Sequence, residues 1–427
     1  DGGALNATTI ANSLDIIVTT GTVTSNGAAL NNNAGASLAI NGGALTGLGA
    51  IDNTSAEADA ITLAAGTNLG FTTLTSSAGM ISVGSGASLT GTSVALTGAA
   101  DLDLNGGTIT GTLDNQSTVQ ISLEGNVNGA FTQQGAGVET LVDGTGVIFG
   151  DTATISTGLL NADANVDVTN ALTLAAGTSL DVADNVTVNG GTVSIGALAA
   201  ATLGNGVTIS SDTGLLDNAA TLSFGTNGTL SSATTLTNSG TITFADGGAL
   251  NATTIANSLD IIVTTGTVTS NGAALNNNAG ASLAINGGAL TGLGAIDNTS
   301  AEADAITLAA GTNLGFTTLT SSAGMISVGS GASLTGTSVA LTGAADLDLN
   351  GGTITGTLDN QSTVQISLEG NVNGAFTQQG AGVETLVDGT GVIFGDTATI
   401  STGLLNADAN VDVTNALTLA AGTSLDV

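Results

Sequence analysis

The chain has 427 residues, 33 of them Asp or Glu, with no Lys, Arg, His, Pro, Cys, Trp or Tyr, and its formal net charge is −33. Nucleic-acid binding and phosphate clamps need cations, thiol chemistry, disulfides, haem and the usual zinc sites need Cys or His, and a Ser–His or Cys–His pair cannot be built. With no side-chain cation, the fold also contains no side-chain salt bridge.

High charge alone would read as disorder, but disordered chains are also poor in apolar residues. This one is 41% apolar with a mean hydropathy of +0.42. No apolar run approaches the ~18–20 residues of a membrane span. The longest, Ile195 to Leu203, is short and Ala-rich.

Taken in chain order, the elements read as short strands. Ala60-Ile-Thr-Leu63 and Asp101-Leu-Asp-Leu104 alternate apolar and polar residues. Ser117 to Leu123 sets Val119, Ile121 and Leu123 against Thr118, Gln120 and Ser122. Val186, Val188, Val193 and Ile195 alternate with polar residues across Gly190-Gly191. Gly196 to Leu203 is the one helix candidate, a weak one. Thr241-Ile-Thr-Phe244 alternates again. Period two with β-branched residues between Asn-Gly, Gly-Gly and Ser-Gly steps is strand–turn–strand. Gly accepts positive φ at the turns, and Asn tolerates it best among the others.

A long internal repeat overlies this pattern. Asp1 to Ile10 recurs as Asp246 to Ile255, and identity continues until Thr178 to Val182 recurs as Thr423 to Val427. Residues 1–245 are therefore a first complete repeat unit, and 246–427 a partial second copy, identical to 1–182 and continuous with it. The chain does not begin with Met, and it is expected to be a window on a longer array. Identical duplication suits a building element better than a singular active site.

Within the unit, Asp1, Asn41, Asn105 and Asn189 each open an Asx-Gly-Gly step, which returns at Asp246. The spacings divide into about 12 turns of about 20 residues per unit. The expected fold is all-β, a parallel β-solenoid (β-helix) in which each turn is one rung. The missing Pro fits, because a buried ladder cannot give up an N–H. A string of Ig-like sandwiches is the competing reading, and the absent Pro and Trp suit it poorly.

The turns Asn105-Gly-Gly-Thr-Ile-Thr-Gly-Thr-Leu113 and Asn189-Gly-Gly-Thr-Val-Ser-Ile195 resemble those of bacterial surface β-helix repeat proteins. These are the filamentous haemagglutinin and autotransporter-passenger adhesins. The resemblance is compositional over the whole length, and the near-perfect long repeat is closer to giant surface filaments. It implies a non-enzymatic structural segment of an extracellular filament on a prokaryotic cell surface, with self as partner. The alternative is the stalk of a giant bacterial adhesin or an S-layer- or sheath-type surface protein.

The candidate sites are few. Asp101 with Asp103, and Asp163, Asp167, Asp181 and Asp184, are acidic groupings that read first as a solvated face and second as weak Ca²⁺ or Mg²⁺ contacts. Val142-Asp-Gly-Thr-Gly-Val147, with Asp151 beyond, is a faint echo of a calcium loop. Paired carboxylates could in principle hydrolyse a glycoside, but no cation is present to hold an acidic sugar. Thr108-Ile-Thr110 and Thr241-Ile-Thr243 read as strand propensity. The sequons at Asn6, Asn53, Asn115, Asn185 and Asn227 are frequent by chance in such a composition. Phe71, Phe131, Phe149, Phe224 and Phe244 read as core. No catalytic, cofactor-binding or metal residue is therefore assigned, and no resident cofactor, nucleic-acid partner or membrane insertion is expected. A rod rising ~4.8 Å per rung would carry one negative charge per ~3 Å of axis. That predicts dependence on salt or divalent cations, and clumping near pH 4 as the carboxylates neutralise.

Overall fold

The computed structural model describes residues 2–135, 138–379 and 383–427. Among them all regular structure is β. The chain divides into two compact units, Asp1–Asp212 and Thr213–Val427. Each is a stack of parallel strands, and together they hold about 21 turns of roughly 20 residues. The expected β-solenoid is the fold.

In the first unit each turn has three faces. Face A takes Gly3–Leu5, Thr22–Ser25, Ala44–Thr46 and Asn68–Gly70. Face B takes Thr9–Asn12, Ala29–Asn32 and Ala50–Asn53. Face C takes Asp15–Val18, Ser37–Ile40 and Ile61–Leu63. Each strand pairs in parallel with the strand one turn later: Val18 with Ile40, then Ile40 with Leu63. Some strands run round the corners without a break, and Ser88–Ser117 contributes to all three faces.

The core is the set of inward residues, one or two per face. Leu38, Ile40, Ile61, Leu102 and Leu104 are all fully buried. Stacking like on like keeps each column filled at van der Waals contact, and each buried aliphatic contributes about 1.5–3 kcal/mol. The Phe residues fall in this core. Phe131 and Phe149 stack at 4.9 Å and 16°, and Phe224 and Phe244 at 5.3 Å and 13°. The Phe71 ring lies over Gly91, where a Cβ would come within 2.3 Å of it.

The corners show why Gly is frequent. Gly43 has φ +81°, and a Cβ there would lie 1.8 Å from the Gly21 carbonyl oxygen one turn below. Among described residues only Asn185 (φ 61°) and Asn227 (φ 56°) adopt this region without being Gly, as the αL tolerance of Asn allows.

Three details differ from the sequence reading. Asn41, Asn105 and Asp246 sit between faces C and A, but Asn189 lies on face A and its glycines turn into face B. Asn105 to Asn189 therefore spans four turns and one further face. Val119 is 36% exposed at a bend, so the strand begins only at Ile121. The Ala-rich segment is no helix, and Ala200–Leu203 is a strand paired with Ser179–Val182. Only Leu203 of the segment is buried, and the neighbouring ladder overrides the helix propensity of Ala. The boundary between sequence copies falls within a strand. Ala245 and Asp246 lie inside one strand, Thr241–Asn251, in the second unit.

Candidate functional site

The most regular polar feature is internal. On face B the last inward position carries an amide on runs of successive strands. In the first unit Asn12 Nδ2 donates to Asn32 Oδ1 at 2.7 Å, Asn32 to Asn53 at 2.8 Å, and Asn53 to Ser76 Oγ at 2.9 Å. In the second, Asn218, Asn238, Asn257, Asn277 and Asn298 are linked the same way at 2.8–2.9 Å, ending on Ser321 Oγ at 2.9 Å. The second amide hydrogen serves a main-chain carbonyl, as from Asn32 to Ala60 O at 2.9 Å. These side chains are 0–5% exposed. A buried amide is costly unless paired, and here each pairs with its own kind one rung away. The sequence reading missed this column and took Asn for a corner residue. Its signal was an aliphatic residue two places before Asn: Ile10-Ala-Asn12, Leu30-Asn-Asn32, Ile51-Asp-Asn53, Leu216-Asp-Asn218, Leu236-Thr-Asn238.

Outside, the carboxylates take neutral donors in place of cations. Asp15 accepts from Ser37 Oγ at 2.7 Å, and Asp143 from Ser122 Oγ at 3.1 Å. Glu139 accepts from Gln120 at 2.8 Å and Asn161 at 3.1 Å. Glu124 Oε1 accepts both the N–H (3.0 Å) and the hydroxyl (2.9 Å) of Thr145, so the 142–147 segment is a corner pinned by a carboxylate. Asp151 accepts from Asn170 at 2.8 Å.

Asp101 and Asp103 point outward from face C, with Leu102 and Leu104 inward, as the alternation requires. Partial burial pushes both carboxyls above the usual carboxylate range. The Leu102 N–H partly offsets this at Asp101, and Asp143 and Glu124 add to it at Asp103. Asp346 and Asp348 repeat the effect. Asp163, Asp167, Asp181 and Asp184 are not brought to one point. Asp167 is on face A between Ile148 and Asn189, Asp181 is on face C beside Asn161, and Asp184 accepts from Asn205 N–H at 2.7 Å. Among the described residues no group of three or more His, Cys, Asp or Glu is placed to hold a metal ion.

Family models, curated proteins and solved structures give no match to this chain.

The remaining candidates are ordinary parts of the rungs. Thr108 and Thr110 lie on face A, whereas Thr241 and Thr243 lie in a face C segment, so the two Thr-x-Thr steps form no common surface. Of the five sequon asparagines, Asn53 and Asn115 are fully buried. No helix of the described residues is long and apolar enough to cross a membrane.

Proposed function

We propose that the chain is a structural segment of an extracellular filament on a prokaryotic surface, extended by continuation of identical β-solenoid units and doing no chemistry. The observation that carries this reading is the junction between copies. Phe244 closes face C of the first copy and stacks on Phe224, Gly248 opens face A of the second, and both belong to one strand. The amide column crosses the junction from Asn238 to Asn257 at 2.8 Å, within the 2.7–2.9 Å of its links elsewhere. A copy thus meets the next as one rung meets another, and the edge that an open solenoid would expose is paired by the following copy. The resemblance to filamentous haemagglutinin-type and autotransporter repeats points the same way.

Electron microscopy of the purified protein tests it. Uniform rods that lengthen in proportion to the number of repeat units are expected, and globular particles would refute the reading. Short rods bearing a distinct head would favour the adhesin-stalk alternative. The charge gives a second test. Light scattering should rise as pH falls toward 4, where the repulsion between rods is neutralised, and a flat trace would remove charge from the account.

A further inference from the structure

Both copies carry the same groove, cut by one irregular corner. Between the paired residues Leu123–Val142 and Gly125–Val147, the lower rung has only Glu124, while the upper has Asp143, Gly144, Thr145 and Gly146. The second copy repeats this between Leu368–Val387 and Gly370–Val392. The longer corner stands out from the stack, and Glu124 ties its Thr145 down. The groove beside it encloses about 440 Å³ in the first copy and about 800 Å³ in the second, with matching walls 245 residues apart.

Its lining has an unusual member. Along the outward column of face A, Asn126 pairs with Ile148 and Ile148 with Asp167. Ile148 and its counterpart Ile393 are each 47% exposed, a bare aliphatic surface between an amide and a carboxylate. Nothing in the rung needs it, since Val147 and Phe149 fill the interior on either side.

We propose that this groove docks an extended basic segment of a partner protein, one lysine per groove. An aliphatic stem laid over Ile148 would bring its ammonium to Asp167 and to the Glu124 Oε2 oxygen, the pattern by which long cationic side chains cover apolar surface and keep the charge at its rim. The counter-charge has to come from outside, because the chain supplies none, and charge complementarity selects such a partner and speeds its encounter.

The test uses a fluorescein-labelled Lys/Ser peptide and the same peptide with every lysine acetylated, read by fluorescence anisotropy at low and physiological salt on the whole chain. The lysine peptide is expected to bind at two sites, and the acetylated one at least tenfold more weakly. Asp167→Asn with Asp412→Asn, and separately Ile148→Thr with Ile393→Thr, should each weaken binding severalfold with an unchanged far-UV dichroism spectrum. Asp52→Asn with Asp297→Asn makes the same charge change on face B and should leave binding within twofold. Equal weakening by that control would mean diffuse attraction to an acidic rod and would overturn the groove. So would equal binding of the acetylated peptide, or no binding of the lysine peptide at low salt.

Discussion

Two stretches of the same face B column solve one problem differently. From Asn218 to Ser321 the inward polar position holds an amide on five successive rungs, each linked to the next at 2.8–2.9 Å. Further along, Leu341 interrupts the column and the following rungs carry Asn360 and then Gln378. Asn360 Nδ2 donates to Thr385 Oγ1 at 3.4 Å while its Oδ1 accepts from Ser362 N–H at 3.1 Å, and Gln378 turns sideways to the carbonyls of Val383 (3.2 Å) and Thr402 (2.9 Å). In the first copy the equivalent Asn115 Nδ2 is buried with no partner among the described residues. A ladder of amides needs the same side chain at the same height on successive rungs. Where lengths are mixed, the donors seek the backbone and one is stranded.

The sharpest way to break this contrast is through the aromatic pair beside the irregular stretch. Phe376→Ala removes a fully buried ring stacked at 4.9 Å on Phe394 and should cost about 3–5 kcal/mol. Hydrogen exchange of the flanking amides would show the loss locally, which matters because long repeat stacks need not unfold in one step. Next comes the regular ladder. Asn277→Leu removes one of the acceptors of Asn257 Nδ2, which keeps the Leu259 and Ser282 carbonyls, and leaves Asn298 Oδ1 and the Ala305 carbonyl without that donor. The expected cost is about 2–4 kcal/mol, again read by exchange. Asn115→Leu should differ. Among the described residues its amide nitrogen already lacks a partner and its oxygen accepts from Ser117 N–H at 3.1 Å alone, so the change is expected within about 1 kcal/mol of neutral. Equal losses at 115 and 277 would abolish the distinction between the two stretches.

The smallest effect concerns pH. The raised folded-state values of Asp101, Asp103, Asp346 and Asp348 mean that the folded chain holds protons the unfolded chain has released. These groups therefore oppose folding at neutral pH, and the opposition fades as pH falls through their raised values toward the ordinary 3.8. All four are largely solvated, so screening limits the effect to a fraction of a kcal/mol. Asp103→Asn with Asp348→Asn should raise stability slightly at pH 7 and flatten its pH slope between 7 and 4, measured by urea melts at several pH values. A steeper slope would reverse the assigned sign.

Much of the fold was legible because its rules are local. Strand alternation gave Leu102 and Leu104 as core and Asp101 and Asp103 as surface, and the repeat implied about 12 rungs per unit, in keeping with the roughly 20-residue turns. What was not legible depends on which corner a residue occupies. Asn189-Gly-Gly looks the same as Asn105-Gly-Gly but turns a different edge, because the rung before it sets the phase. The amide column stayed hidden for the same reason. Asn32 and Asn33 are adjacent and identical, yet one is sealed in the core and the other accessible, a difference decided by one residue of register. The groove at 143–146 follows from a length mismatch between neighbouring rungs, which no single stretch of sequence displays.

The placement of the copy boundary inside Thr241–Asn251 has an evolutionary consequence. Unequal recombination between identical stretches of a gene adds or deletes whole periods, and in most proteins that severs a core. Here residues 245 apart hold the same register, as Thr9–Asn12 on Ala29–Asn32 and Thr254–Asn257 on Ala274–Asn277 do, so gain or loss of 245 residues leaves every remaining neighbour as it was. Length can then drift, or be selected, without any new folding problem to solve.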